Sequence, residues 1–246
     1  METRPITDLF DARTGTVEPH EALRDYHYRR IDRVNEGEFE FSENSRGVIL
    51  VHIATADALD PYLEDKIDAA EFVNSSAKFP ILMRSRYSSF SDHTELCSRG
   101  IKASKSVDND EIACTWIDRT GVVEAISTNL VYERKEVKTI STETLEKAVT
   151  SLVKSYLEEI AGVDEDFVLA TMSYLNMKEV HIPRIEGVSM RPKEVDSSFI
   201  ETPIVSITQE NIRKQLTPLL RPFWQALGFS QSPYMTEDGW RLEYND

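Results

Sequence analysis

The feature that most limits how this chain can fold is one apolar run, Gly47-Val-Ile-Leu-Val-His-Ile-Ala54, with His52 its only polar side chain. A segment of this length, rich in β-branched residues and without a polar face, reads as a central strand buried on both sides. The chain must then supply an apolar layer for each face of a sheet. The run is also the longest apolar stretch in the sequence and falls far short of the ~20 residues that cross a bilayer, so no membrane association is expected.

Helical periods supply candidate layers. Pro19 suits a first helical turn. Leu23, His27, Ile31 and Val34 follow at helical spacing, and Gly37 ends the pattern. Ser141 stands where an N-cap is wanted, ahead of Leu145, Val149, Leu152, Tyr156 and Ile160, with Gly162 as the stop. A last helix is expected after Thr208, carrying Ile212, Leu216, Leu219, Phe223 and Leu227 and closed by Gly228. Pro218 either kinks that helix or restarts it. Residues 57–73 show a weaker pattern through Leu59, Leu63, Ile67 and Ala70.

The clearest hairpin pairs Ile112–Ile117 with Val122–Ile126 through Asp118-Arg119-Thr120-Gly121. Phe167–Leu175 alternates like a strand, 203–207 reads as a short strand, and the proline-bearing stretch 181–203 reads as a connection. Residues 74–106 show the least regularity, and the tail from Gln231 reads as a loop. Residues 1–18 read as a tail or a single edge strand near Leu9–Arg13. No repeat or low-complexity linker divides the remainder. The expectation is a single α+β domain over 19–246, with a mixed, mainly antiparallel sheet packed against a few long helices.

Composition narrows the chemistry. Among 246 residues, 28 Lys and Arg face 43 Asp and Glu, a net charge of −15, which repels bulk polyanions. Cys97 and Cys114 are too few for a disulfide scaffold, and no apolar signal-peptide stretch follows Met1, so a reduced, cytoplasmic chain is expected. No GxGxxG or GxxxxGK[ST] phosphate loop occurs, and no GxSxG nucleophile turn. His93, Cys97 and Cys114, or His20 with His27, lack the spacing of a metal site; Cys114 fits a buried strand position and His27 a core helix face. Neither a metal nor a cofactor is expected.

Two local patterns carry binding or catalytic readings. Residues 78–105 have a charge of +4 against −19 for the remainder. Within them Arg84, Arg86, Arg99, Lys102 and Lys105 lie among Tyr87 and Phe90, the mixture that stacks bases and neutralises phosphates of single-stranded nucleic acid. The competing reading is a solvated stretch whose bases pair with acids elsewhere. Asp118 followed by Glu136-Val137-Lys138 loosely matches a Mg²⁺-dependent nuclease, although Asp118 also stands where a turn wants Asp.

Several segments in order resemble a known family. Phe10-Asp-Ala-Arg-Thr-Gly15 with its following Glu21-Ala-Leu-Arg24 helix resembles the closing edge of the ATP-binding domain in Schlafen-type, Alba-like proteins. Tyr28-Arg-Arg-Ile-Asp-Arg33, then Val48–Ile53 with its His, is similar to the region that follows that domain. Arg119-Thr-Gly121-Val-Val-Glu124 resembles the family's Arg-x-Gly-x-x-Glu hairpin. Trp224-Gln-Ala226-Leu-Gly228, with Ser232-Pro-Tyr234 and Gly239-Trp240, resembles its terminal segment. The domain that carries the family's nucleotide chemistry would precede these residues, so no catalytic residue is transferred. The resemblance implies a non-catalytic accessory or interaction domain, separately encoded or part of a longer polypeptide, which holds or regulates a protein partner engaged with nucleic acid in defence or transcriptional control.

Overall fold

A computed structural model of the protein describes residues 18–37, 47–60, 67–68, 80–83, 91–107, 110–161, 167–183, 185, 193–236 and 239–240. Helix α1, Pro19–Asn35, begins with its proline in the first turn and ends before Gly37, whose φ of +83° suits a residue without a side chain. Strand β1, Val48–Ala54, is buried at every position. After a 3₁₀ turn at Asp57–Leu59 come β2 (His93–Cys97), β3 (Gly100–Val107), β4 (Asp110–Asp118) and β5 (Val123–Ser127). A separate hairpin, β6 (Val131–Arg134) with β7 (Val137–Ile140), leads to helix α2, Thr142–Glu159. Then follow β8 (Val168–Leu175), β9 (Phe199–Glu201), β10 (Val205–Ile207), α3 (Ile212–Gln215), α4 (Thr217–Ala226) and a short ladder of β11 (Met235–Thr236) with β12 (Gly239–Trp240).

The main sheet runs in the order β10-β8-β1-β5-β4-β3-β2, with β9 also on β8, and each of its pairs is antiparallel. β1 lies inside it. Its odd-numbered side chains, Ile49, Val51 and Ile53, join Val123, Ala125, Met172 and Tyr174 in the principal core beneath α2 and α4, to which Leu145, Val149, Leu152, Phe223 and Trp224 contribute. Its even-numbered side chains turn toward α1. There Val48 and Leu50 pack with Ile31, Cys114, Ile126 and Leu175, and Ala54 with Leu23, Ala58, Val122 and Leu169. The apolar run thus receives its two layers, and the fold is α+β with a mainly antiparallel sheet.

Several elements differ from the sequence reading, each for a local reason. β2 and β3 occupy 93–107, almost wholly within the stretch 74–106 that shows the least regularity in the sequence; β2 is an edge strand with three of its five residues exposed, so it shows no apolar period. The β6–β7 hairpin turns on Lys135 and Glu136, both at positive φ (+53° and +63°), a geometry normally advertised by Asn-Gly. β8 is buried at all eight positions instead of alternating, because helices cover both of its faces. Ser141 precedes α2 as expected, but its hydroxyl donates to Thr144 Oγ1 at 2.7 Å in place of capping a backbone N–H. Pro218 restarts the last helix, dividing α3 from α4. The proposed edge strand near Leu9–Arg13, the stop at Gly162 and most of 57–73 lie outside the described residues.

Gly100 fixes the β2–β3 turn. Its φ is +145°, and a Cβ there would lie 2.2 Å from the Ile117 carbonyl oxygen on β4. At Gly37, also at positive φ, a Cβ would meet nothing within 4 Å among the described residues. Gly37→Ala is therefore expected to cost about 1 kcal/mol from backbone conformation alone. Gly100→Ala should cost more than about 2 kcal/mol, because the strand pair must also separate. Urea denaturation midpoints of the two variants measure the difference.

Candidate functional site

The antiparallel register places a polar row across the α1 face of the sheet. Lys102 pairs with Trp116, Trp116 with Glu124, Glu124 with His52, and His52 with Thr171, running from β3 to β8. Helix α1 lies over the β1 end of this row. Positions 23, 27, 30 and 31 form its buried stripe, which brings His27 and Arg30 down onto His52 and Glu124 between the two apolar clusters.

Glu124 is the centre. It is wholly buried, and its Oε2 accepts from Arg30 Nε at 2.5 Å and from His52 Nε2 at 2.9 Å. Its Oε1 accepts from the second Arg30 nitrogen at 2.9 Å and faces Arg99 Nη1 at 3.7 Å. On its far side, His52 Nδ1 meets His27 Nδ1 at 2.5 Å, and His27 Nε2 meets Ser173 Oγ on β8 at 2.7 Å. Tyr26 stands edge-on to His52, with ring centroids 5.0 Å apart, and its hydroxyl accepts from Arg99 at 2.7 Å. Arg99 forms the rim of the cluster. It is 30% exposed and reaches Asp118 at 3.9 Å.

One protonation pattern satisfies the whole chain. A carboxylate only accepts, so His52 donates from Nε2 and, when neutral, offers the lone pair of Nδ1. His27 then donates from Nδ1 and accepts the Ser173 hydroxyl proton at Nε2. Electrostatics agree with this assignment. Burial, then the neighbouring His52, holds the His27 imidazole down at about 2, and burial likewise lowers His52. Burial by itself would raise the Glu124 carboxyl, but the hydrogen bond from His52 and the hydrogen bonds and charge of Arg30 outweigh it and hold the group at about 2. Burial, followed by the Glu124 charge, pushes the Tyr26 hydroxyl up to about 12.

A hydroxyl, two imidazoles and a carboxylate in series could in principle activate a serine nucleophile. Here Ser173, His52 and Glu124 have no exposed surface and His27 has 2%. The chain's donors and acceptors are engaged with one another, and what they accomplish is to bind α1 to the sheet. Nor does the arrangement form a metal centre. His52 presents one nitrogen to His27 and the opposite one to Glu124, so the three do not face a common point, and no cluster of three or more His, Cys, Asp or Glu suited to a metal occurs among the described residues.

The residues singled out from the sequence are placed as follows. Arg84, Arg86, Tyr87 and Phe90 lie outside the described residues. Arg99 belongs to the buried cluster. Lys102 pairs with Glu111 at 2.8 Å and sits 5.1 Å from the centre of the Trp116 ring; Lys105 pairs with Asp92. Lys102 and Lys105, three apart on β3, point to opposite faces, so these two do not line one groove. Asp118 accepts from the Thr120 amide at 3.3 Å, whereas Glu136 occupies the β6–β7 turn and belongs to the separate hairpin. His93 pairs with Ser104, and Ser104 with Cys114, which puts two strand spacings, roughly 9–10 Å, between the imidazole's strand and that thiol's. His20 is exposed on α1, and His27 is a core histidine with two hydrogen bonds.

Compared with protein-family models, with curated proteins and with solved structures, the chain matches none. In the sequence, His52 and Glu124 stand out only as parts of motifs, and no motif includes Ser173. A usable signal was present: both interrupt apolar strands, where an isolated polar side chain has to find a partner.

Two measurements test the cluster. Arg30→Met leaves Glu124 buried without its main cation and should destabilise the protein by about 3–5 kcal/mol, whereas adding Glu124→Gln should recover much of that loss. Because His27 is neutral in the fold but protonates below pH 6.5 when unfolded, its contribution is present above pH 6.5 and is lost as pH falls towards 2. Urea titrations between pH 7 and pH 4 should therefore show the wild type losing stability relative to His27→Asn by up to about 1.4 kcal/mol per pH unit. A constant difference between the two proteins would contradict a neutral, buried His27.

Proposed function

We propose that this chain is a non-catalytic accessory or interaction domain of a nucleic-acid-associated system, resembling the region that follows the ATP-binding domain in Schlafen-type, Alba-like proteins. On this reading it works in the cytoplasm and holds or regulates a protein partner. The observation that supports it is the convergence of the resembling segments. Arg30, His52 and Glu124 come from three separate motifs and meet in one buried cluster. Trp224, from the terminal motif, hydrogen-bonds the buried Glu146 at 2.8 Å. The motif residues act together to hold layers in place, as a scaffold for another protein requires.

The charge of −15 favours a partner with a basic surface over direct contact with a polyanion. Arg99, Lys102 and Lys105 each lie against a carboxylate, which weakens the reading of direct single-stranded nucleic-acid binding. Among the described residues, no helix is long and apolar enough to cross a membrane.

The test mixes the purified chain with a separately expressed Alba-like ATP-binding domain from the same genome. Size-exclusion chromatography should show a shared peak, and the chain alone should turn over neither ATP nor single- or double-stranded nucleic acid. Turnover by the isolated chain, or the absence of a complex, would overturn the proposal.

A further inference from the structure

A second buried acid lies on the opposite side of the sheet from Glu124. Glu146, on α2, has no exposed surface; its Oε1 accepts from Trp224 Nε1 of α4 at 2.8 Å, and its Oε2 has no hydrogen-bond partner among the described residues. The segment after α4 folds back over this place. Phe229 packs edge-on against Trp224 with centroids 5.5 Å apart, Tyr234 does the same at 5.8 Å, and the Tyr234 and Thr142 hydroxyls lie 3.1 Å apart, tying the segment to the start of α2. Ser232 is buried beside the carboxyl.

We propose that Glu146 is a proton-controlled latch: protonated, it lets Gly228–Tyr234 dock over α2 and α4, and ionised, it loosens that segment and uncovers Trp224 and Phe229.

The electrostatic surroundings fit this role. On α2, Glu143 lies one turn before Glu146 and pairs with Lys147 at 3.2 Å. Tyr174 of β8 faces Glu146, and burial, followed by that carboxyl, pushes its hydroxyl well up. Tyr234 faces both Glu143 and Glu146. The Ser232 hydroxyl beside the carboxyl and the Trp224 hydrogen bond favour the charged form of Glu146, and among the described residues no cation acts on it. Burial prevails and raises the carboxyl from 4.5 to about 7. A segment that swings away returns Glu146 to water and to its ordinary value. The opening constant should therefore rise tenfold per pH unit from about 4.5 and level off near 7, roughly 300-fold in all. This inference rests on α2, α4 and the terminal segment alone, independently of the accessory-domain reading.

The amides that report the motion are known: Gly228 donates to Gln225 at 2.9 Å and Phe229 to Trp224 at 2.9 Å. Hydrogen-exchange protection of these two, measured on the full chain from pH 4.5 to 8 and corrected for intrinsic exchange, should fall with the stated slope while the β1 amides do not follow it. In Glu146→Gln the protection should be independent of pH. Ser232→Ala, which removes a group favouring the charged form, should move the plateau to higher pH and keeps the test alive where Glu146→Gln does not fold. Protection that is flat in the wild type, that falls equally in Glu146→Gln, or whose plateau stays fixed in Ser232→Ala overturns the latch.

Discussion

The Glu124 carboxylate, deprived of water and surrounded by Arg30, His52 and Arg99, is the constraint on which the rest of the structure depends. A charge in that position is tolerable only while its partners are in place, so it couples four parts of the chain that local propensity does not join. It also pins the sheet. Side chains alternate along a strand, so a one-residue slip of β5 against β1 would send Glu124 into the apolar core beside Ile49, Val51 and Val149 and turn Val123 towards α1. An all-apolar sheet would tolerate such a slip far better. The buried ion pair contributes little net stability by comparison with apolar packing, and its chief effect is to make one register the acceptable one.

That constraint explains how the two faces are divided. Towards α2 and α4 the core is continuous and large; towards α1 it is split into two small clusters by the polar row. Helix α1 cannot be held by hydrophobic area alone, because the strip beneath its middle is occupied by His27, Arg30, His52, Glu124 and Ser173. Its position is set by directional bonds of 2.5–2.9 Å. Directional contacts locate a helix more sharply than apolar packing, but they fail abruptly when a proton is added to the wrong atom.

How much of this was legible in the sequence follows from which forces act locally. α1, β1, the β4–β5 hairpin, α2 and α4 were readable because each buries a full face, and burial imprints a period on the residues. β2 was not, since an edge strand with exposed His93, Glu95 and Leu96 has no period to show. The β6–β7 hairpin was hidden because Lys135 and Glu136 adopt a turn that their side chains do not announce. The buried clusters were half legible. His52 and Glu124 could be seen as polar residues in apolar strands, but that they neighbour one another follows from pairing β1 with β5, seventy residues apart, and no local pattern encodes that. Ser173 was invisible for a different reason: a serine in a strand is commonplace until an imidazole is found 2.7 Å from it.

His27 and Glu146, buried on opposite faces of the sheet, respond to protons in opposite directions, and this shapes the molecule as a whole. Unfolding adds a proton at His27 below pH 6.5, so acid weakens the contact between α1 and the sheet. Unfolding releases a proton at Glu146 between 4.5 and about 7, so the contact between α2 and the terminal segment weakens as pH rises over that range. Between pH 4.5 and 6.5 the Glu146 slope opposes that of His27, while His52, also held below its ordinary value by burial, adds to the His27 side. Global stability then falls with acid over this range, but by less than the loss at the α1 contact, because the terminal segment tightens at the same time. A single denaturation midpoint would report only the sum of the two changes, and a probe that separates α1 from the segment after α4 would resolve them. The sheet lies between the two sites, so one face can loosen while the other tightens.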